Sequence, residues 1–310
     1  MATPLLEHFE EFKEKYLRSG KSEVTVRSVK DALKFIVRNT VIKTIEDCND
    51  SILLEDTLYE MKDERNWSGV TLNSYLKNLN TYFIWLKKRK YIKENDLGSI
   101  QRCTEEQKEQ YTLSEEQVMK VIAQVHMRQQ TRLQRYRNVF FIDLLRFTGA
   151  RPCELLNVEM QHIIKAKDGT YKIIIKGRKQ KGRPRYYPCP SWLRDSFETY
   201  RDHRAKLREN ENFLFISSSK TSKWTEKGMR GLFRRLSEEL GFRVTAYGFR
   251  RFVATYLNKQ GLSLKEIGRH LGHTRESTTR TYIERSCCLT DATSRAMDEF
   301  MKNNDNDSNL

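Results

Sequence analysis

No stretch of this 310-residue chain reaches the roughly 18 consecutive apolar residues that a membrane-spanning helix needs, and its N-terminus lacks the apolar core of a secretion signal. The expectation is a soluble protein that is not exported. The six cysteines, Cys48, Cys103, Cys153, Cys189, Cys287 and Cys288, form no CxxC and no Cys/His pairing at zinc-finger spacing. Neither a disulfide framework nor a structural metal is expected, which suits a cytoplasmic setting, or a nuclear one in a eukaryotic host. Cys153 is read as a small buried hydrophobe. Internal repeats and low-complexity tracts are missing as well. Acidic charge is in short supply: 41 acidic residues against 57 basic ones leave a net charge of +16. Such a surface attracts polyanions, because each phosphate it neutralises releases condensed counterions. Nucleic acid is the expected partner. An acidic membrane surface would need a basic amphipathic helix with bulky apolar residues opposite, and no segment fits that description well.

The length suggests two domains. Residues 1–98 read as a helical unit of four helices. The first is opened by Thr3-Pro4 and carries Leu5, Phe9, Phe12 and Tyr16, with Gly20 after its end. The second carries Val26, Val29, Leu33 and Ile36 at helical period, the third covers 51–63, and the fourth begins after Ser68 and ends in the basic run KKRK at 87–90. Residues 99–111 are polar and aperiodic and read as a linker. From Thr112-Leu-Ser-Glu115, a capping-box pattern, helices resume, joined by a strand at 171–175, a basic turn and a strand at 185–188. Further helices are expected at 191–205, 225–240, 247–260 and 263–271, and the tail beyond 287 shows a modest apolar stripe of Ala292, Ala296 and Phe300.

Three short motifs stand out. TGARPCELL at 148–156 ends an apolar helix at Gly149 and at once presents Arg151, with Glu154 three residues on; YGFRR at 247–251 sets Arg250 one helical turn after Tyr247; LGHTRESTTRTY at 271–282 puts His273 nine residues before Tyr282. The set resembles the tyrosine recombinase family, the phage-type integrases and Xer-type recombinases, which carry Arg, Lys, His-x-x-Arg, His or Trp, and Tyr in this order. Four positions in order between residues 148 and 282 make coincidence a poor explanation. One departure is plain: Tyr247 stands where the family usually has His, and Arg251 where another His commonly follows the second Arg. An unperturbed Tyr titrates near ~10 rather than ~6.5, so Tyr247 suits hydrogen-bond donation better than proton acceptance.

The resemblance implies a mainly α fold with a small β-sheet: a helical core-binding domain and a mixed α/β catalytic domain (112–286) forming a C-shaped clamp on double-stranded DNA. It implies Arg151, Lys179, Tyr247, Arg250, His273 and Tyr282 as the catalytic set. Tyr282 is the nucleophile that stores the cleaved bond as a 3′-phosphotyrosyl ester. Arg151 and Arg250 are planar forks for non-bridging phosphate oxygens. His273 is a donor to the phosphate or an acceptor for the Tyr proton. A hairpin Lys is the acid for the leaving 5′-oxygen; Lys179, nine residues before Pro188, fits the family interval best, with Lys176 and Lys181 as alternatives. The remaining basic residues of 176–185 read as backbone-phosphate contacts. Glu154 is expected to orient Arg151 through a buried ion pair. Residues 287–310 are expected to form a C-terminal helix and a polar tail, the helix either exchanged between protomers of a homo-tetramer on DNA or packed on its own domain, and the enzyme to act through a Holliday junction on roughly palindromic core sites. No cofactor, metal or small-molecule substrate is implied. Type IB topoisomerases and telomere resolvases share this chemistry and stay open as alternatives, as does a DNA-binding relative that has lost catalysis.

Overall fold

In the computed structural model, residues 2–104, 111–177, 184–205, 212–218, 223–273 and 275–284 are described, Tyr282 and Glu284 by their backbone alone. The chain divides into two compact units, Met1–Lys108 and Glu109–Leu310.

The first unit is helical because its apolar residues recur at 3–4-residue spacing and its helix starts carry polar caps. Helix α1 (Phe9–Arg18) begins later than the Thr3-Pro4 reading had it. Pro4 instead bridges Thr44 in extended pairing, and the Leu5 N–H donates to the Lys43 carbonyl, so backbone pairing absorbs the segment that a helix would have used. Helix α2 (Glu23–Asn39) buries Val26, Val29, Ala32, Leu33 and Ile36 along one face. A five-residue helix α3 (Ile45–Asn49), absent from the sequence reading, is held by a Thr44/Asp47 capping box. Helix α4 (Ser51–Glu64) starts at an Asp50 cap, and α5 (Gly69–Lys88) starts at Ser68 and runs straight through the core. These faces meet around Phe12, Tyr82, Phe83 and Leu86, all fully buried. The first part of the expected linker is tied to this unit: Ile100 is buried in its core, and the Cys103 N–H and carbonyl exchange hydrogen bonds with the Asn73 side chain.

The second unit is built on α7 (Arg132–Thr148), which follows α6 (Glu115–Met127) and buries residues on every side: Phe140, Phe141, Leu144 and Leu145 are all fully enclosed. A helix that buries its second half on every side must be surrounded. It is flanked by α6, by α9 (Ser191–Ala205) and by α11 (Ala246–Lys259). The cap of α6 is Ser114 with Gln117, two residues beyond the expected start, since Ser114 and not Thr112 has the side chain and extended backbone that satisfy the first turn. After the short α8 (Pro152–Leu156) comes an antiparallel sheet of three strands rather than two: β1 (Ile163–Lys165), β2 (Tyr171–Ile175) and β3 (Arg185–Cys189) in sequence order. β1 is only three residues long and pairs Ile163 with Ile173, too short to show a period in sequence. In β3, Arg185 and Tyr187 point to one face and Tyr186 and Pro188 to the other; Ile175 pairs with Arg185 and Ile173 with Tyr187. Helices α10 (Glu226–Leu240), α12 (Leu264–Leu271) and α13 (Glu276–Glu284) complete the unit, the last two packing on α11 around Val253, Ala254, Ile267, Leu271 and Ile283.

Candidate nucleic-acid cleavage site

The site is organised by two helix ends. Helix α7 stops at Gly149, which holds a left-handed φ of +56°, and α12 stops at Gly272, with φ +69°. Left-handed backbone favours glycine, and both positions are also crowded. A Cβ on Gly149 would lie 2.5 Å from Leu271 Cδ2, and one on Gly272 would lie 2.8 Å from the Arg185 guanidinium carbon. Helix C-termini leave carbonyls without intrahelical partners and carry partial negative charge.

Arg250 uses both ends. It is fully buried on α11, and its two terminal nitrogens donate to the Gly149 carbonyl (2.7 Å) and the Leu271 carbonyl (2.9 Å). The guanidinium therefore pins α7, α11 and α12 to one another. Tyr247, one turn earlier on the same helix, is 46% exposed, so the two members of the YGFR motif differ sharply in burial. Arg251 turns elsewhere, donating to the Tyr111 carbonyl (2.9 Å) at the start of the unit.

Two residues past Gly149, Arg151 caps α8, whose first turn begins with Pro152. The Glu154 side chain, 1% exposed, receives the Arg151 backbone N–H on one oxygen (3.0 Å) and the Arg151 guanidinium on the other (2.9 Å). The expected ion pair is there. Burial alone would raise the Glu154 pKa, but the Arg185 charge and the hydrogen bonds from Arg151 and Arg185 outweigh it and hold the carboxyl below its usual range. Arg151 keeps 30% of its side chain exposed.

Arg185 departs from the reading that made it a phosphate contact. Its side chain is only 10% exposed and turns inward, pairing with the Glu154 oxygen that also accepts the Arg151 backbone N–H and donating to the Leu271 carbonyl (2.6 Å). From the same face of β3, the Tyr187 hydroxyl donates to the His270 carbonyl. Two successive carbonyls at the end of α12 are thus caught by one strand. The alternation of β3 and its pairing opposite Ile175 could have hinted at an inward Arg185, but the surrounding cluster of exposed basic residues obscured it. Of the hairpin lysines, Lys176 is described and exposed, while Lys179 and Lys181 lie outside the described residues.

His273 follows Gly272 directly. Its backbone N–H donates to the Gly268 carbonyl (2.8 Å), and its Nδ1 is 2.8 Å from the hydroxyl of Thr279, a fully buried residue of α13. Burial, together with the nearby charges of Arg250, Arg151 and Arg185, pushes the imidazole pKa down to about 3. The ring is neutral across the physiological range. His270, passed over in sequence, is likewise held below its usual value, first by burial, and its Nε2–H donates to the Phe147 carbonyl (3.0 Å). Thr279 was also missed; only its place in the TT pair six residues after His273 marks it. Tyr282 lies on α13, the helix that carries Thr279. Among the described residues no cluster of His, Cys, Asp and Glu is arranged to hold a metal ion, and no described helix is long and apolar enough to cross a membrane.

Arg151, Arg185, Arg250 and His273 are therefore gathered around one carboxylate and one helix end, a concentration of fixed positive charge with a neutral imidazole beside it. Such a set is suited to binding a phosphodiester and neutralising charge as it builds on phosphorus. Known proteins agree. Tyrosine recombinase XerC of Staphylococcus aureus (strain USA300 / TCH1516) is 25% identical over 244 residues, covering 74% of this chain and 78% of its own. XerC of Anoxybacillus flavithermus is 25% identical over 226 residues, covering 71% and 72%. Among solved structures, the XerH site-specific recombinase bound to palindromic difH substrate in a post-cleavage complex has a TM-score of 0.70 at 19% identity, covering 87% of this chain and 79% of that one. A lambda integrase dimer on a core site has a TM-score of 0.68 at 15% identity, covering 91% and 77%. Residues 111–287, more than half of the chain, match the sequence model of the phage integrase family, and with the motifs, the fold and this site in register the chain belongs to that family of tyrosine recombinases.

Proposed function

We propose that the protein is a site-specific recombinase that breaks and rejoins DNA through a covalent 3′-phosphotyrosine, with the six residues Arg151, Lys179, Tyr247, Arg250, His273 and Tyr282 as its catalytic set. The observation that carries this reading is the convergence of Arg151, Arg250 and His273 on the Glu154–Leu271 framework from three separate motifs.

The phenolic oxygen of Tyr282 attacks phosphorus while its proton passes to His273, whose basicity, lowered by burial and by Arg250, Arg151 and Arg185, recovers as the negative phosphate offsets those charges. Arg151, the most exposed of the three arginines, reaches the non-bridging oxygens as the phosphorane forms, and Arg250, buried with its terminal nitrogens on the Gly149 and Leu271 carbonyls, adds its positive charge from behind. The bond to the 5′-oxygen breaks, and Lys179 supplies the proton that makes it a hydroxyl. Tyr247, exposed beside Arg250, donates a hydrogen bond to the phosphate in place of the usual His. Because the ester conserves the bond, a second 5′-hydroxyl can reverse the sequence on a new partner without nucleotide hydrolysis or a cofactor. The first unit, with its basic α5 end, also contacts the DNA, and the region 287–310 links protomers in a homo-tetramer that resolves a Holliday junction on roughly palindromic core sites. A lambda integrase tetramer bound to a Holliday junction and XerH on a palindromic substrate support this assembly by likeness of fold.

The test is covalent capture. Wild-type protein and Tyr282→Phe are incubated in EDTA with nicked duplexes drawn from the surrounding genome, and adducts are read on denaturing gels. An adduct in wild type alone is expected. Sequence-specific binding with no adduct on any nicked site would instead support a binding protein that has lost catalysis, with Tyr247 the suspect.

A further inference from the structure

Arg185 belongs to no motif that identifies the reaction, yet it occupies the middle of the site's framework. Its guanidinium shares the Glu154 carboxylate with Arg151 and the Leu271 carbonyl with Arg250. Its exposure of 10% and its inward pairing leave its fork committed to protein rather than aimed at solvent. The Gly272 backbone lies flat against it, so close that no side chain could stand between them. Two residues on, Tyr187 ties the same strand to the preceding carbonyl of α12.

We propose that Arg185 is a positioning residue for the DNA-cleavage step: it fixes Arg151 through Glu154, and both Arg250 and the Gly272-His273 turn through the Leu271 carbonyl, without itself touching DNA. The proposal rests on the recombinase reading above. The physical reason is geometric. A planar guanidinium can serve a carboxylate and a carbonyl in two fixed directions at once, whereas a lysine ammonium is a point charge on a flexible stem and cannot hold both. With Arg185 gone, Glu154 has only Arg151, and the Leu271 carbonyl has lost one of two cationic donors. The three groups around the phosphate then lose their common reference.

A residue that binds DNA, one that merely stabilises the fold and one that positions catalysts predict different results. Arg185→Lys and Arg185→Met are made in the full chain, their folding is followed by urea unfolding, and each is given the nicked duplex that the wild type cleaves. Binding is read by gel shift and adduct formation by single-turnover kinetics on saturated complexes. Expected are DNA affinities within about twofold of wild type and adduct rates lower by roughly 100-fold, the order lost when reacting groups are misplaced by about an ångström. Guanidinium ion at low, non-denaturing concentration should restore part of the rate in Arg185→Met. It should do nothing for Arg185→Lys, where the lysine stem fills the space.

Wild-type adduct rates in folded, saturated Arg185→Lys would overturn the proposal. So would a loss confined to DNA affinity, which would return Arg185 to the phosphate contacts, or rates that fall only in proportion to the unfolded fraction. Failure of the wild type to form any adduct would count against the recombinase reading instead. In that event the framework is read from the His273 imidazole by NMR: a signal unmoved by Arg185→Lys overturns the positioning role, and a displaced one upholds the coupling.

Discussion

Gly149→Ala tests whether the end of α7 is held by conformation alone or also by contact. The residue has φ +56°, where an L side chain costs roughly 1–2 kcal/mol. The new methyl would also stand 2.5 Å from Leu271 Cδ2 and 3.1 Å from Val253 Cβ. Leu271 is fully buried and Val253 is 4% exposed, so neither can swing into open space, and overpacking of this kind costs about 1–3 kcal/mol. Loss of glycine's freedom in the unfolded chain returns about 0.4–1 kcal/mol. The net expectation is a destabilisation of about 1–5 kcal/mol. Gly241→Ala is the matched control: it ends α10 at φ +71° with nothing within 4 Å of the added carbon, and therefore isolates the conformational part. Urea unfolding of the two variants, followed by fluorescence and circular dichroism, should separate them by the contact term of about 1–3 kcal/mol. Because Gly149 presents the carbonyl that receives Arg250, and Leu271 the other, adduct formation should fall in Gly149→Ala and stay near wild type in Gly241→Ala. Equal destabilisation of the two variants, with equal activity, would refute the argument that α7, α11 and α12 meet without slack.

Further outcomes follow from the same framework. Glu154→Gln leaves two arginines facing an uncharged amide and should cost about 3–5 kcal/mol, the scale for breaking a buried pair; a loss below 1 kcal/mol in urea unfolding would count against it. Thr279→Val strips the hydroxyl from His273 Nδ1 and should slow adduct formation by roughly 5–150-fold, the equivalent of about 1–3 kcal/mol, with Thr279→Ser close to wild type. His273 is depressed to about 3 in the folded protein, so the unfolded chain binds the extra proton first. Stability should therefore drop as pH falls from about 6.5 toward 3, with the lowered His270 adding in the same direction, and His273→Gln should flatten that slope between pH 6.5 and 4.5. A stability rising on acidification through this range would contradict the neutral assignment. Lys179→Ala should lower the cleavage rate by about 10²–10⁴-fold, and a substrate with sulfur at the 5′-bridging position, whose leaving group needs no acid, should recover it; recovery with Lys176→Ala instead would move the role to that residue.

What sequence could convey depended on how local the cause was. Helices α2, α4 and α5 of the first unit and α9 to α12 lie close to where periodicity and caps put them, because Ser22, Asp50, Ser68, Thr225 and Ser263 act within a few residues of themselves. The Arg151–Glu154 pair was legible for the same reason, being three residues apart. Pro4 was misread because its partner, Thr44, is forty residues away, and β1 escaped because three residues carry no period. Arg185 was misread most instructively. In sequence it is one of six basic residues in a row of ten, and only the distant Glu154 and Leu271 decide that it turns inward while Lys176 stays exposed. Charge counting places a basic surface; it does not sort which arginines belong to that surface.

The contacts that hold the site join residues far apart along the chain: Arg250 with Gly149 across 101 positions, Arg185 with Leu271 across 86, and Arg185 with Glu154 across 31. Such closures come late, because the chain must lose the entropy of long loops before these bonds form. During synthesis, α7 and Arg151 emerge well before α11 and α12, so a growing chain has no framework on which to set a phosphate. An enzyme that breaks and rejoins DNA strands thereby carries its own delay: the capacity to cut arises only with the last helices.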